Sequence, residues 1–597
     1  MADLDSPRQV YENRTATLRR EATVLAARDS TLSALRLAVA LLFLAMSWAV
    51  FDPDRLAVGW LALPLGIFVV LVVAHERNAR RRRRTRRAIE FYDRGRARLD
   101  DTWAGTGPTG AEFVDRDHPY ADDLDVFGDG SLYQLLCTAR TADGRARLAG
   151  WLQTPAVPSE IESRQLAVAE LAPHLMLRED LAVLGSEMEP HVHPRALAQW
   201  ATAPSPLANP TRIRTISATL VILTLSTAAA WLVGGVSRNW ALVALAVQAV
   251  FASSLRARVG VVIEAVAMAN RELGLLHGIL ARVEEVRFES APLRALMGNL
   301  RTTGRAPSVA IGRLRRIVNL LDARRNQMFS PFSALLLWGT SLAAAIEQWR
   351  SDNGAAIVVW LDAIAEIEAL DCIAAYHYEH PDDPFPEMIQ GPATFAGVGL
   401  GHPLLADAEC VRNDVELGRG QQMLIVSGSN MSGKSTLMRT VGINAVLAQT
   451  GAPVRARALR LSPLQVGGSI RVRDSLRRGM SGFYAEIHRF RSILDLAHDQ
   501  PAVLFLLEEI LHTTNSHDRR VGAEALLRSL LERGAVGLVT THDLAITRLT
   551  EALPGSVNVH FVDELVDGEI RFDYRLRPGV VERSNAVDLM RNIGLDV

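Results

Sequence analysis

Gly428-Ser429-Asn430-Met431-Ser432-Gly433-Lys434-Ser435 follows a short, largely apolar run at 422–427 and precedes a helix-compatible run at 436–447. The eight residues match G-x-x-x-x-G-K-[ST] in full, in the order the pattern requires: buried strand, glycine loop, helix. Glycines let the backbone bend around an anion, and amides at the helix N-terminus converge on it. The reading is a phosphate-binding loop for Mg-ATP. Gly428, Ser429, Asn430, Met431, Ser432, Gly433, Lys434, Ser435 and Thr436 surround the phosphates. Lys434 neutralises the β- and γ-phosphates, and Ser435 ligates Mg²⁺. Lys434 is also the one lysine in the chain; every other cation among its 65 Lys and Arg residues is arginine. A compact ammonium and a planar guanidinium do not substitute freely, so the exception points to chemistry.

Two further strands are expected downstream, at 502–507 and 535–539. The first ends in Glu508-Glu509. A carboxylate at such a strand tip holds Mg²⁺ through its waters, and the next one orients the attacking water, which assigns Glu508 to the metal and Glu509 to the water. The second runs into Thr540-Thr541-His542-Asp543, where His542 is placed to hydrogen-bond the γ-phosphate. From about residue 390 short β-branched runs alternate with helical ones, the texture of an α/β domain.

Upstream the chain has a different character. Its 597 residues call for several domains, and an apolar content of 49% is ample for their cores. The formal net charge of −1 gives no bulk signal for nucleic acid. Three distant cysteines, Cys137, Cys372 and Cys410, form no metal-ligand spacing and no disulfide framework. Apolar runs at 32–51 and 56–74 are each close to the ~20 residues that cross a ~30 Å hydrocarbon core. Eight arginines between Arg77 and Arg87 follow them. By the positive-inside rule both ends of this hairpin are cytoplasmic. A second pair at 216–236 and 240–255 is flanked by Arg212, Arg214, Arg256 and Arg258 and reads as a second hairpin of the same orientation. The shorter run at 332–346 reads as a buried or amphipathic helix. Ser159 is expected to cap a helix over 160–171. Arg301, Arg305, Arg313, Arg315, Arg316, Arg324 and Arg325 form a basic stretch within a helical region.

Together these pieces resemble the MutS family of ABC-type ATPases. Ser427 through Thr436, with its Asn430-Met431 pair, looks like that family's phosphate loop. Glu508-Glu509-Ile510 followed by Thr514-Asn515-Ser516 looks like its metal-binding strand and the loop after it, and Thr541-His542 resembles its switch histidine. Ser481-Gly482-Phe483-Tyr484-Ala485-Glu486-Ile487 stands where the family has its signature segment. The resemblance implies that Ser481 contacts the nucleotide of a partner subunit, so that two copies face each other. His402 to Leu405 and Asn413-Asp414 look like the entry strand and adenine side. Ser131 to Leu171 looks like the start of the family's helical core. There are departures: Glu508 stands where the family usually has Asp, Thr513 where it has Gly, and no N-terminal mismatch-reading domain is visible.

The expected architecture is a multidomain chain of transmembrane helical hairpins, an all-α core or lever domain, and a C-terminal α/β P-loop (ABC-type) ATPase domain. Its divisions are a cytoplasmic segment (1–30), hairpin one (31–75), a basic juxtamembrane linker (76–123), the first part of the helical core (124–210), hairpin two (211–258), the core and lever (259–389) and the ATPase domain (390–597). The expected function is a membrane-anchored ATPase, homodimeric, using Mg²⁺ and ATP. It sits in the cell (inner or plasma) membrane with its ATPase domain in the cytoplasm. Family membership implies double-stranded DNA as the clamped partner, without mismatch recognition. The competing expectation is a mechanical or scaffolding ATPase acting on a protein or lipid. An exporter is disfavoured by the thin pathway two hairpins make and by the lack of a Leu-Ser-Gly-Gly-Gln segment.

Overall fold

In the C-terminal region the first four strands of the main sheet are buried on both faces, as parallel sheets require, and the last two are partly or fully exposed. In chain order the strands are β1 (Met423–Ser427), β2 (Gln465–Ser469), β3 (Val503–Glu508), β4 (Val536–Thr541), β5 (Ser556–His560) and β6 (Arg577–Pro578). The spatial order is β6-β5-β1-β4-β3-β2. All neighbours are parallel except β6 with β5. Met423, Ile425, Phe505, Leu507, Val539, Leu527 and Leu530 fill one core against this sheet. Ser427 pairs with Thr541, and Glu508 with Thr540. That register brings the ends of β1, β3 and β4 to one edge, the side on which open α/β sheets bind ligands. A second sheet of four strands, Glu387–Met388, Ala458–Leu461, Phe395–Leu400 and Asn413–Leu417, accompanies it.

The computed structural model describes residues 6–50, 57–185, 196–301, 304–322, 330–429, 431–471, 482–512, 516–566 and 569–581. These form two compact units. One comprises 1–138, 146–173 and 370–597; the other comprises 139–145 and 174–369.

The first unit holds the ATPase-like sheets and the first hairpin. Its helices, Pro7–Val50 and Ala62–Leu99, run well beyond the apolar segments. Their polar halves pack through a stripe at heptad spacing: Tyr11, Leu18 and Leu25 on one helix, Asn78, Thr85 and Tyr92 on the other. The Asn78 amide donates to the Leu25 carbonyl at 3.0 Å, and Arg82 meets Asp29 at 2.5 Å. The arginine run is therefore the outer face of a two-helix stalk as well as a flanking charge. At the foot of the stalk, Arg98 makes a bidentate pair with the buried Glu379 at 2.6 and 2.5 Å, and the Tyr11 hydroxyl donates to the same carboxylate at 3.1 Å. The helix expected to be capped by Ser159 begins instead at Pro158, with Val157 as its N-cap. Proline at the first helical position loses nothing, because its missing N–H would have no partner there.

The second unit is helical. Its hairpin consists of Pro210–Leu232 and Arg238–Glu285. The latter is one 48-residue helix that passes through position 258 without a break. The apolar run at 332–346 is divided by Leu337, which has φ 47°, into the helices Ser330–Leu335 and Trp338–Glu379.

Among the described residues four stretches are long and apolar enough to cross a membrane: Pro7–Val50, Val58–Leu99, Pro210–Leu232 and Arg238–Ala267. Only 0%, 6%, 11% and 17% of their most apolar windows is buried within the protein. Trp48, Val70, Leu232 and Val250 are among the large apolar side chains they leave exposed. Apolar area on that scale marks a surface that something else covers.

Candidate functional site

The loop after β1 bends through positive φ at Gly428 (154°), Met431 (69°) and Gly433 (101°), and Gly433 caps the helix Lys434–Thr450. A Cβ at Gly428 would stand 2.8 Å from Ser432 Oγ, so the turn requires glycine there. Lys434 is buried, and its Nζ donates to the carbonyls of Gly428 (2.9 Å) and Ser429 (2.7 Å). Burial pushes its ammonium below the ordinary range, while Glu509, Glu508 and Asp563 act in the opposite sense. The Ser429 and Ser432 hydroxyls are buried with no hydrogen-bond partner among the described residues. Orphaned donors facing a glycine loop at a helix N-terminus are what a bound phosphate would satisfy.

Across from the loop, Ser435 Oγ donates to Glu508 Oε1. Burial raises the Glu508 carboxyl above its usual range; the Ser435 hydrogen bond and the Arg439 charge pull it back. Glu509 follows with φ 47°, its amide donating to the Thr540 carbonyl at 3.1 Å. His542 Nδ1 stands 3.1 Å from Glu509 Oε1. One hydroxyl, two carboxylates and one imidazole thus meet at the tips of three adjacent strands. Among the described residues no cluster of three His, Cys, Asp or Glu could hold a metal on its own. The donor set suits Mg²⁺, which is bound by one or two protein groups together with substrate phosphates.

Met431, Gly433, Lys434, Ser435, Thr436, Glu508 and Glu509 line a single cavity of about 620 Å³, within the range of small-molecule sites. His402, Leu405, Asn413, Phe561 and Tyr574 close its other wall. Burial, with the Arg439 charge, lowers His402 to about 4, so it is neutral at pH 7; its Nδ1 accepts from the Leu404 amide at 3.2 Å. The Asn413 side chain donates to the Tyr574 carbonyl at 2.9 Å and accepts from the Leu576 amide at 2.8 Å. Tyr574 and Phe561 were not singled out in the sequence, where no pattern marks them. Asn430, Ser481, Thr513, Thr514, Asn515, Arg324 and Arg325 lie outside the described residues.

A second network was also absent from the sequence reading. Buried Asp123 accepts from the amides of Ile470 (3.0 Å) and Arg471 (2.7 Å) and from Arg489 (2.7 Å). Asp125 holds Arg471 at 2.6 Å and Arg439, on the phosphate-loop helix, at 3.5 Å. Glu486, expected in the signature segment, is buried and accepts from the Leu511 amide at 2.7 Å, just beyond the two carboxylates.

A mostly parallel sheet with a glycine loop, strand-tip carboxylates and a strand-tip histidine is the arrangement in which nucleotide phosphates are bound. Residues 424–596 match the family MutS domain V. Similar proteins include DNA mismatch repair protein MutS 2 of Halobacterium salinarum, 31% identical over 237 residues, which are 39% of this chain and 27% of that protein. Endonuclease MutS2 of Thermus thermophilus is 34% identical over 195 residues, 32% of this chain and 25% of that one. DNA mismatch repair protein MutS of Bacillus licheniformis is 31% identical over 236 residues, 38% and 26%. The similarity of this chain to the MutS family lies in this C-terminal region. It spans about a quarter of the length of these relatives.

Proposed function

We propose that this chain is a membrane-anchored, MutS-like ATPase that binds and hydrolyses Mg-ATP at composite sites of a homodimer and clamps double-stranded DNA. The observation that carries the ATPase reading is the convergence of Lys434, Ser435, Glu508, Glu509 and His542 on one strand edge. Lys434 and the loop amides hold the triphosphate. Ser435 and Glu508 hold Mg²⁺, which when bound supplies positive charge to the phosphates. Glu509 orients the attacking water, and His542 fixes Glu509 while facing the γ-phosphate side. The extra methylene of Glu508 lets it reach Ser435 directly, a contact that competes with metal and its waters. Glu508→Asp shortens that reach by about 1.5 Å. It is expected to raise kcat by about two- to tenfold, a barrier change of up to ~1.4 kcal/mol, with ATP affinity unchanged. Steady-state phosphate release measures this, and a slower variant would contradict the competition.

DNA binding draws on the names of the relatives and on Arg313 and Arg316, which are exposed along the helix Pro307–Asp322. Full-length protein in nanodiscs is expected to bind duplex DNA at ~50 mM salt and to lose more than about tenfold in affinity by ~200 mM. No binding at low salt, with and without ATP, would end the DNA reading. The second reading, a mechanical or scaffolding ATPase at the membrane acting on protein or lipid, is favoured by one observation. Both ends of the first hairpin's stalk are tied to Glu379 within the unit that holds the nucleotide site. Under either reading the four apolar helices lie in the cell membrane and the ATPase domain is cytoplasmic, supported by the arginines that flank each hairpin.

A further inference from the structure

Within the second hairpin, Thr224 Oγ1 donates to Gln248 Oε1 at 2.8 Å, and both side chains are buried. Gln248 Nε2 in turn donates to the Leu335 carbonyl at 2.6 Å. That carbonyl ends the short helix Ser330–Leu335 and is one of the groups a helix C-terminus leaves unpaired. The depth of this contact follows from helix geometry. Thr224 lies ten residues beyond Arg214, and Gln248 lies eight before Arg256 and ten after Arg238. At a rise of 1.5 Å per residue these are ~15, ~12 and ~15 Å. Measured from the flanking arginines, the pair and the Leu335 backbone therefore stand near the middle of a ~30 Å hydrocarbon layer. Leu337, with φ 47°, breaks the helix there, and Trp338 Nε1 donates to the Leu320 carbonyl at 2.8 Å. Phe332 is 60% exposed at the corner. Beside the Gln248–Leu335 contact a cleft of about 1240 Å³ lies between the corner and the hairpin, lined by Leu245, Ala249, Ala252 and Leu335 and also by Arg256 and Glu264.

We infer that residues 330–338 form a re-entrant corner inserted among the lipid acyl chains beside the second hairpin, with Gln248 capping the carbonyl that would otherwise face hydrocarbon. The physical reason is that non-helical backbone at membrane depth persists only where protein satisfies it, and an intramembrane amide is a fitting donor. The inference rests on the reading that the second hairpin spans the membrane. The expected consequence is that Phe332 contacts lipid although its segment is too short to cross.

The test uses full-length protein in nanodiscs with Cys410→Ser as background, carrying a nitroxide at Phe332→Cys, Leu225→Cys or Arg313→Cys. Leu225 is an exposed position of the hairpin, and Arg313 is exposed on a polar helix. Collision rates with oxygen and with a water-soluble nickel complex are compared at each site. The label at 332 is expected to match that at 225, favouring oxygen, whereas the label at 313 favours nickel. A label at 225 in lipid with 332 behaving like 313 would overturn the corner and leave the hairpin standing. Nickel access at 225 would overturn the spanning reading and the corner with it.

Discussion

Lys434→Ala is expected to lower ATP affinity by at least about 100-fold, since charge-assisted hydrogen bonds contribute ~1.5–3 kcal/mol each and, on the proposed reading, the ammonium meets two phosphates. The same Nζ holds the carbonyls of Gly428 and Ser429, so the variant also loses the contact that shapes the loop. Hydrolysis should vanish with binding. Lys434→Arg is expected to fail as well, although arginine serves nearly everywhere else in this chain. A planar guanidinium cannot occupy the buried channel of a compact ammonium and reach both carbonyls. Calorimetric titration with ATP checks affinity directly, and the ATP-induced rise in unfolding temperature checks it independently through linkage. Retention of wild-type affinity in Lys434→Ala would remove the basis for the nucleotide site.

The candidate site was legible because its chemistry is local in sequence. The central strands announce themselves by apolar runs; Glu508, Glu509 and His542 sit within one residue of a strand end, and Lys434 and Ser435 open the helix that follows β1, although the sheet order β1-β4-β3 differs from the chain order. The apolar runs of the hairpins were legible from composition alone. The stalk below the first hairpin was harder to see. Its heptad spacing at Tyr11, Leu18 and Leu25 is in the sequence, but the facing positions include Asn78 and Thr85, polar residues inside an arginine run that hide the stripe. Pairings such as Arg98 with Glu379 or Asp123 with Arg489 span hundreds of residues and leave no periodic trace. The break at Leu337 falls on a leucine, two residues before Gly339; the tertiary contact from Gln248 to Leu335 accompanies it, and local propensity carries no sign of that contact.

Glu509→Gln separates binding from chemistry and is expected to lower kcat by at least about 100-fold while ATP affinity stays within about twofold. Among the described residues no hydrogen bond joins Glu509 to the phosphate loop, although its charge acts on Lys434; its backbone is fixed by Thr540 and its carboxylate by His542 at 3.1 Å. The amide keeps the volume and accepts a hydrogen bond from the imidazole, so the loop, Lys434 and the Ser435–Glu508 pair have no reason to move. What disappears is the negative charge that polarises a water for attack on the γ-phosphate, a contribution that appears only as the reaction proceeds. The variant should therefore accumulate unhydrolysed ATP, which single-turnover quench experiments measure beside equilibrium titration. Equal loss of affinity in Glu509→Gln and Lys434→Ala would show that the carboxylate serves the architecture of the pocket. An unchanged kcat would show that another group activates the water, with Glu508 the nearest carboxylate to test.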